Sequence, residues 1–261
     1  MTDRGLDVPG AGTGGAIPDG LAVVVRTLFK SYPTPEGELP ILMGLDLNVR
    51  RGEIVAITGE SGAGKSTLLH LLGGLDRPTG GQIIVDGVDL NSRSDAELAR
   101  FRNRQIGFVF QFHHLLPDFT AVENVMIPRL MAGAKPAEAE RGARELLRAV
   151  ELQNRLHHWP SELSGGEQQR VAVARALANS PAVVLADEPS GNLDYRHSGQ
   201  LHDLMWRLVD ERGTTFVIAT HDRALAARAD REIRLENGLA RELPQDAVTS
   251  YFKDRAGPVR S

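Results

Sequence analysis

The sequence contains no cysteine, so neither a disulfide framework nor a thiolate metal site is available to it. It also lacks any excess of positive charge. Its 34 acidic residues outnumber 30 lysines and arginines, and a formal net charge of −4 excludes a general attraction to nucleic acid or anionic lipid. Nowhere do apolar residues run for the roughly 20 positions that crossing a bilayer takes. The first twenty residues, MTDRGLDVPGAGTGGAIPDG, lack the hydrophobic stretch of a secretory signal and read as a flexible leader. What remains is ordinary globular material. With 261 residues, 41% of them hydrophobic, the chain suits one large domain or two joined lobes in a reducing compartment.

Order is expected from LAVVVRTLFKSY (21–32), a β-rich run interrupted by PTPEGELP, and continues in ILMGLDLNVR with its alternating apolar residues. EIVAIT (53–58) is nearly all apolar, as a strand covered on both faces must be. GQIIVDGVDL reads as a hairpin-like pair. From about Ser94 to Trp159 the texture turns helical: SDAELARFRNR opens on a capping signal and KPAEAERGARELLRAVEL is amphipathic. After Glu167 helices and strands alternate again, with AVVLAD and TTFVIAT as the strands, and REIRLE ends at an Asn237-Gly238 turn. The fold class expected is α/β, a P-loop core with an antiparallel β subdomain and a helical subdomain.

One stretch carries chemistry at once. GESGAGKST (59–67) satisfies G-x-x-x-x-G-K-[ST], and it stands between an apolar strand and a leucine-rich helix. In that setting the backbone N–H groups of Gly59, Glu60, Ser61, Gly62, Ala63 and Gly64 turn inward on a polyphosphate, aided by the positive end of the helix. Lys65 then bridges the β- and γ-phosphates, the Ser66 hydroxyl ligates Mg²⁺, and Thr67 completes the turn. A chance match to a glycine turn arises on the order of once per hundred chains of this length, and the strand–loop–helix context makes it rarer.

A phosphate cradle needs a metal partner and a group that acts on water. The strand AVVLAD ends in Asp187 and Glu188, suited to the Mg²⁺ shell and to orienting or deprotonating the attacking water. By itself this is also how a strand ends in a solvated acidic turn. Ser164, Gly165 and Gly166 precede a long helix and make a second phosphate-ready N-terminus. His221 follows a buried strand, where it can meet a γ-phosphate. Each has a bland reading; all of them in this order do not.

The whole series resembles the ABC-transporter ATPase subunit over roughly Leu21 to Arg241. The resemblance implies an ATPase domain over 21–243 with a helical subdomain at about 94–165, followed by a polar tail over 244–261. It implies Walker A at Gly59–Ser66, the Q-loop glutamine at Gln111 (a Mg²⁺ ligand and catalytic-site residue), and the signature at Leu163–Gln168. Walker B falls at Val183–Asp187 with Glu188 as catalytic carboxylate, the D-loop at Ser190–Asp194, and the switch histidine at His221. Ser190 stands where the family often has threonine. Tyr32 matches the aromatic that stacks on adenine, although an aromatic at a strand end is more often simple packing. ATP and Mg²⁺ are the implied cofactors. A head-to-tail homodimer in the ATP-bound state, with Ser164–Gly166 acting in trans, and two transmembrane permease subunits are the implied partners, with no nucleic acid and no membrane span in this chain.

The segment after Gln111, FHHLLPDFTAVENV, faces the membrane partner in this family. It resembles that of the ATPase subunits of lipoprotein-releasing (Lol) systems, peripheral on the cytoplasmic face of the bacterial inner membrane. Phe112, His113, His114, Leu115 and Leu116 are the expected coupling residues, some of which a helical core would also claim. A related macrolide or peptide exporter and a cell-division complex share every nucleotide motif. A soluble ABC protein acting on DNA or ribosomes would need a second cassette or a long coiled-coil insertion.

Overall fold

A computed structural model describes residues 19–244. The expected leader, save its last two residues, and the expected tail, save its first, lie outside the described residues. Two sheets build the fold. The first is antiparallel, in the order β2-β1-β4-β5, from β1 (Leu21–Thr34), β2 (Gly37–Arg50), β4 (Gly80–Val85) and β5 (Val88–Asp89). The second has six strands in the order β10-β9-β3-β8-β7-β6. These are β3 (Ile54–Thr58), β6 (Ile106–Phe110), β7 (Val183–Asp187), β8 (Phe216–Ala219), β9 (Arg231–Glu236) and β10 (Leu239–Leu243). All run parallel except β10, which returns antiparallel on β9 through the expected Asn237-Gly238 turn.

The short apolar strands are buried on both faces, and their alternate residues feed two separate cores. Val184 and Ala186 of β7 join one core with Ile54, Ala56, Phe216 and Ile218. Val183 and Leu185 join the other with Val55, Ile57 and Val217. The first core is closed by α3 (Ala121–Met131), α4 (Pro136–Ala149), α5 (Gly165–Ala176) and α6 (Tyr195–Arg212). The second is closed by α1 (Lys65–Leu72) and the antiparallel sheet. This double covering is why the sequence shows continuous apolar runs there rather than alternation.

Two expectations are corrected. The span from about Ser94 to Trp159, read as helical in texture, also contains β6, which pairs in parallel with β7 from Ile106↔Val183 to Phe110↔Asp187. Its five residues IGFVF are the buried-strand type, but α2 (Asp95–Gln105) runs directly into them without a turn to mark the change. α2 itself packs Leu98 into the core of the antiparallel side, so the helices outside that core begin at α3. PTPEGELP is no interruption: β1 and β2 pair through it, Thr34 opposite Gly37, as one long hairpin. The capping signal at Ser94 is realised as a complete capping box with Glu97.

Candidate nucleotide site

The strand register aligns the site. Phe110 pairs with Asp187, Asp187 with Ala219, and Ala219 with Ile57, so one row crosses β6, β7, β8 and β3 at their carboxyl ends. The next residues along these strands are Gln111, Glu188, Thr220 and Thr58, with the glycine-rich loop following Thr58. The sheet therefore delivers Gln111, Asp187, Glu188, His221 and Walker A to one edge, the edge at which open parallel sheets bind ligands.

Walker A leads into α1, whose N-cap Gly64 sits at φ 97° and provides no side-chain acceptor, while the first turn carries no acidic residue. The leading N–H groups of α1 are thus left for an anion. Two glycines are required sterically as well as conformationally. A Cβ on Gly59, at φ 148°, would stand 2.6 Å from the Leu235 carbonyl, and one on Gly64 would stand 2.9 Å from Ile41 Cγ2. Lys65 Nζ donates to the carbonyls of Gly59 (2.9 Å) and Glu60 (3.1 Å), which arches the loop over its own lysine. Ser66 is exposed on the first turn.

At the exit of β7 the Glu188 N–H continues the ladder to the Ala219 carbonyl (2.9 Å), and Glu188 then turns at φ 46°, a left-handed conformation uncommon for a residue other than glycine. Its Oε1 lies 2.7 Å from His221 Nδ1, and its Oε2 accepts from the Thr220 hydroxyl at 3.2 Å. The carboxylate is mostly covered, whereas the His221 side chain is 74% exposed. A basic oxygen held beside an imidazole at a strand end can accept a proton from water and pass it outward.

Gln111 is gripped on both sides. Its Nε2 donates to Asn192 Oδ1 (3.1 Å) and its carbonyl accepts from Asn192 Nδ2 (3.0 Å). Just upstream, the buried Gln169 of α5 donates to the Phe110 carbonyl (3.1 Å). With the Gln111 amide nitrogen so engaged, its Oε1 is the end left for a cation. Ser66, Gln111 and Asp187, the residues expected at the metal, offer only oxygen donors, the donor chemistry that Mg²⁺ takes.

Tyr32 lies beside Thr67, its hydroxyl donating to Asp76 Oδ2 (2.7 Å). Burial first, then Asp76, push this hydroxyl above its usual titration range and keep it a donor. Lys30 Nζ lies 4.5 Å from the ring centroid and is held by Asp76 Oδ1 (2.8 Å).

The signature sits elsewhere. Ser164 caps α5 and Glu167 answers it, accepting from the Ser164 N–H (2.9 Å) in a capping box. A Cβ on Gly165 would meet Leu193, and one on Gly166 would meet His197. Those neighbours belong to the D-loop and to α6, whereas the Walker A glycines have neighbours on β2 and β9.

The segment after Gln111 divides by exposure. Phe112 (64%) and Leu116 (41%) face outward, as does His114, whereas Leu115 packs against the core and His113 is half-buried beside the Gly165 backbone. Burial holds the His113 imidazole below its ordinary titration range, and its buried Nε2 has no hydrogen-bond partner among the described residues. The turn is fixed by Arg175 of α5, which donates to the carbonyls of His114 (2.6 Å) and His113 (2.8 Å). Next to it lies a groove of about 300 Å³ lined by Leu75, Phe108, Phe110 and Pro128. Asn192, Thr220, Lys30, Asp76 and Arg175 were not legible in the sequence, because their partners are between 32 and 81 positions distant; of these, only Asn192 lay inside a recognised motif.

The chain belongs to the ABC transporter family, whose model matches residues 42–191, and within it the chain is an ATP-binding, ATP-hydrolysing cassette. Its relatives narrow the class. It is 52% identical to the lipoprotein-releasing system ATP-binding protein LolD of Xanthomonas oryzae over 88% of this chain and 96% of that one. It is 54% identical to the LolD of Geobacter metallireducens over 82% and 95%. Among solved structures it resembles the ATP-binding cassette MJ0796, seen as a dimer in a post-hydrolysis state bound to ADP and Pi, with a TM-score of 0.78, 40% identity, and coverage of 85% of this chain and 98% of that one. Among the described residues no helix is long and apolar enough to cross a membrane.

Proposed function

We propose that residues 21–243 form the ATPase subunit of a lipoprotein-releasing transporter, peripheral on the cytoplasmic face of the inner membrane and working two transmembrane permease subunits. The observation that carries the catalytic part is the row of strand ends that brings Gln111, Asp187, Glu188 and His221 to the edge occupied by Walker A. The relatives named LolD support the lipoprotein part, together with the exposed Phe112, His114 and Leu116 beside an apolar groove.

In this reading the α1 N-terminus and Lys65 bind the phosphates of ATP, and Lys65 exchanges the loop carbonyls for phosphate oxygens. Ser66, Asp187 and Gln111 would hold Mg²⁺, which would supply positive charge against the phosphates. Glu188 takes the proton of the attacking water, with Thr220 and His221 fixing its two oxygens. Tyr32 stacks on adenine. The separate surroundings of the signature and of Walker A within one chain favour their meeting across a dimer, Ser164–Gly166 of one copy closing on the nucleotide of the other. MJ0796, described as a dimer, supports the same assembly.

Glu188→Gln is the test. Loss of a positioned base lowers kcat by about 10²–10⁴-fold, so the variant is expected to retain ATP and accumulate as a closed dimer by size-exclusion chromatography. Undiminished turnover removes Glu188 from its role. Purification of this trapped form from its native membrane is expected to bring two lipoprotein-release permeases; an exporter or septation partner replaces that reading.

A further inference from the structure

His202 is 4% exposed on the inner side of α6, and the scheme above gives it no task. Its Nε2 stands 3.1 Å from Ser190 Oγ and 3.8 Å from Asp222 Oδ2. Ser190, itself buried, is two residues past Glu188; Asp222 immediately follows His221. The Asp222 N–H donates to Thr220 Oγ1 (2.9 Å), and the Thr220 hydroxyl donates to Glu188 Oε2 (3.2 Å). The contacts close on themselves, running from Glu188 along the backbone to Ser190, then through His202, Asp222 and Thr220 back to Glu188. Asp222 is anchored further by accepting from the Ala224 N–H at the start of α7 (Arg223–Arg228) (2.8 Å).

Ser190, His202 and Asp222 have the residue types of a hydrolytic triad, but their geometry is different. Both oxygens approach the same ring nitrogen, so the aspartate cannot orient the imidazole from Nδ1 while Nε2 takes the serine proton. The serine is also buried away from any substrate. A structural tie fits this arrangement.

We propose that His202 is a positioning residue for ATP hydrolysis: it pins the turn bearing Glu188 and Ser190 to the turn bearing Asp222 and His221, so that carboxylate and switch histidine keep one geometry. The inference rests on reading Glu188 as the group that acts on water. An apolar side chain of similar size would fill the space but leave the buried Ser190 hydroxyl without this partner, and the two turns would be joined only through the contacts that Thr220 and His221 make with Glu188 itself.

The tie depends on protonation. Burial holds the imidazole below its ordinary titration range, opposed by Asp222; Arg228 of α7 acts with the burial, and Asp203 of α6 against it. Arg228 and Asp203 are themselves paired at 2.8 Å. The neutral ring with its proton on Nδ1 accepts from the Ser190 hydroxyl. Once charged, both nitrogens donate, so Nε2–H serves an acceptor, the Ser190 oxygen or the Asp222 carboxylate, and the Ser190 hydroxyl proton loses its acceptor on the ring.

The experiment is steady-state ATP hydrolysis by the full chain between about pH 5.5 and 8.5, the range in which histidine titrates. His202→Phe is expected to lower kcat about fivefold at neutral pH, what one hydrogen bond is worth in a rate, with KM for ATP unchanged. Its acid limb should differ in shape from that of the parent protein, whereas a merely structural loss scales kcat equally at every pH. His202→Gln should recover part of the rate. Ser190→Ala should lower kcat to a similar extent, and the double variant should be no worse than either single one. Equal kcat and pH profile in His202→Phe overturn the proposal, and so do additive effects of the two changes. Where melting shows that His202→Phe is unfolded, Ser190→Ala decides alone: an unchanged kcat overturns the proposal. Glu188→Gln run alongside separates the failures. An active Glu188→Gln sinks the reading of the carboxylate, while an inactive one beside a parent-like His202→Phe sinks the tie only.

Discussion

Gln111 and Asn192, 81 positions apart, hold each other twice: side-chain amide to side-chain amide at 3.1 Å and amide to backbone carbonyl at 3.0 Å. The first contact engages the nitrogen end of the Gln111 amide and leaves its oxygen end to act as an acceptor. Asn192→Ala removes that contact. The variant is expected to need severalfold more Mg²⁺ for half-maximal ATP hydrolysis while its folding stability falls by no more than about 1 kcal/mol, since both contacts are exposed. A Mg²⁺ titration identical to that of the parent would dissociate the pair from metal binding.

Tyr32 tests whether the aromatic at the strand end is a platform or only packing. Removing the ring in Tyr32→Ala is expected to raise KM for ATP about tenfold, the size of one base-stacking contact, with little change in kcat. Tyr32→Phe keeps the ring and loses only the bond to Asp76, so its KM should lie between the two. An unaltered KM in Tyr32→Ala would make the residue part of the Lys30–Asp76 packing alone.

Acid sensitivity should be traceable to the signature helix. Burial alone would raise the Glu167 carboxyl, but the Arg155 guanidinium (2.9 Å) and the Ser164 N–H and O–H outweigh it and hold the group at about 2. The folded form therefore binds this proton later than the unfolded chain does. The stability contributed is complete above the ordinary glutamate range and is lost as pH falls from there toward about 2. Arg155→Ala should lower the urea midpoint at neutral pH, and the gap to the parent should shrink on acidification below about pH 4. A gap independent of pH would mean that the arginine acts by packing alone.

Much of this was legible in the chain. The Walker A spacing, the apolar runs feeding it and Asp187, and the serine cap ahead of α5 are local patterns, in which neighbouring residues alone settle what the backbone does. Phe112 and Leu116 were legible as coupling candidates, but Leu115, equally apolar, turns to the core, and no period in that irregular segment separates inward from outward residues. β6 was missed because five apolar residues following a helix without a turn fit a helix as well as a strand until a partner strand is known.

By itself the sequence determined that an apolar strand, a glycine turn and α1 follow one another at the cradle and that a second apolar strand ends at Asp187, because capping, glycine geometry and apolar patterning act over a few residues. Only the tertiary structure decided that Phe110, Asp187, Ala219 and Ile57 share one row, that Asn192 orients Gln111, and that His202 joins Ser190 to Asp222. Strand order and register arise from burying both faces of a parallel sheet at once, a requirement on the whole chain that no short stretch of it contains.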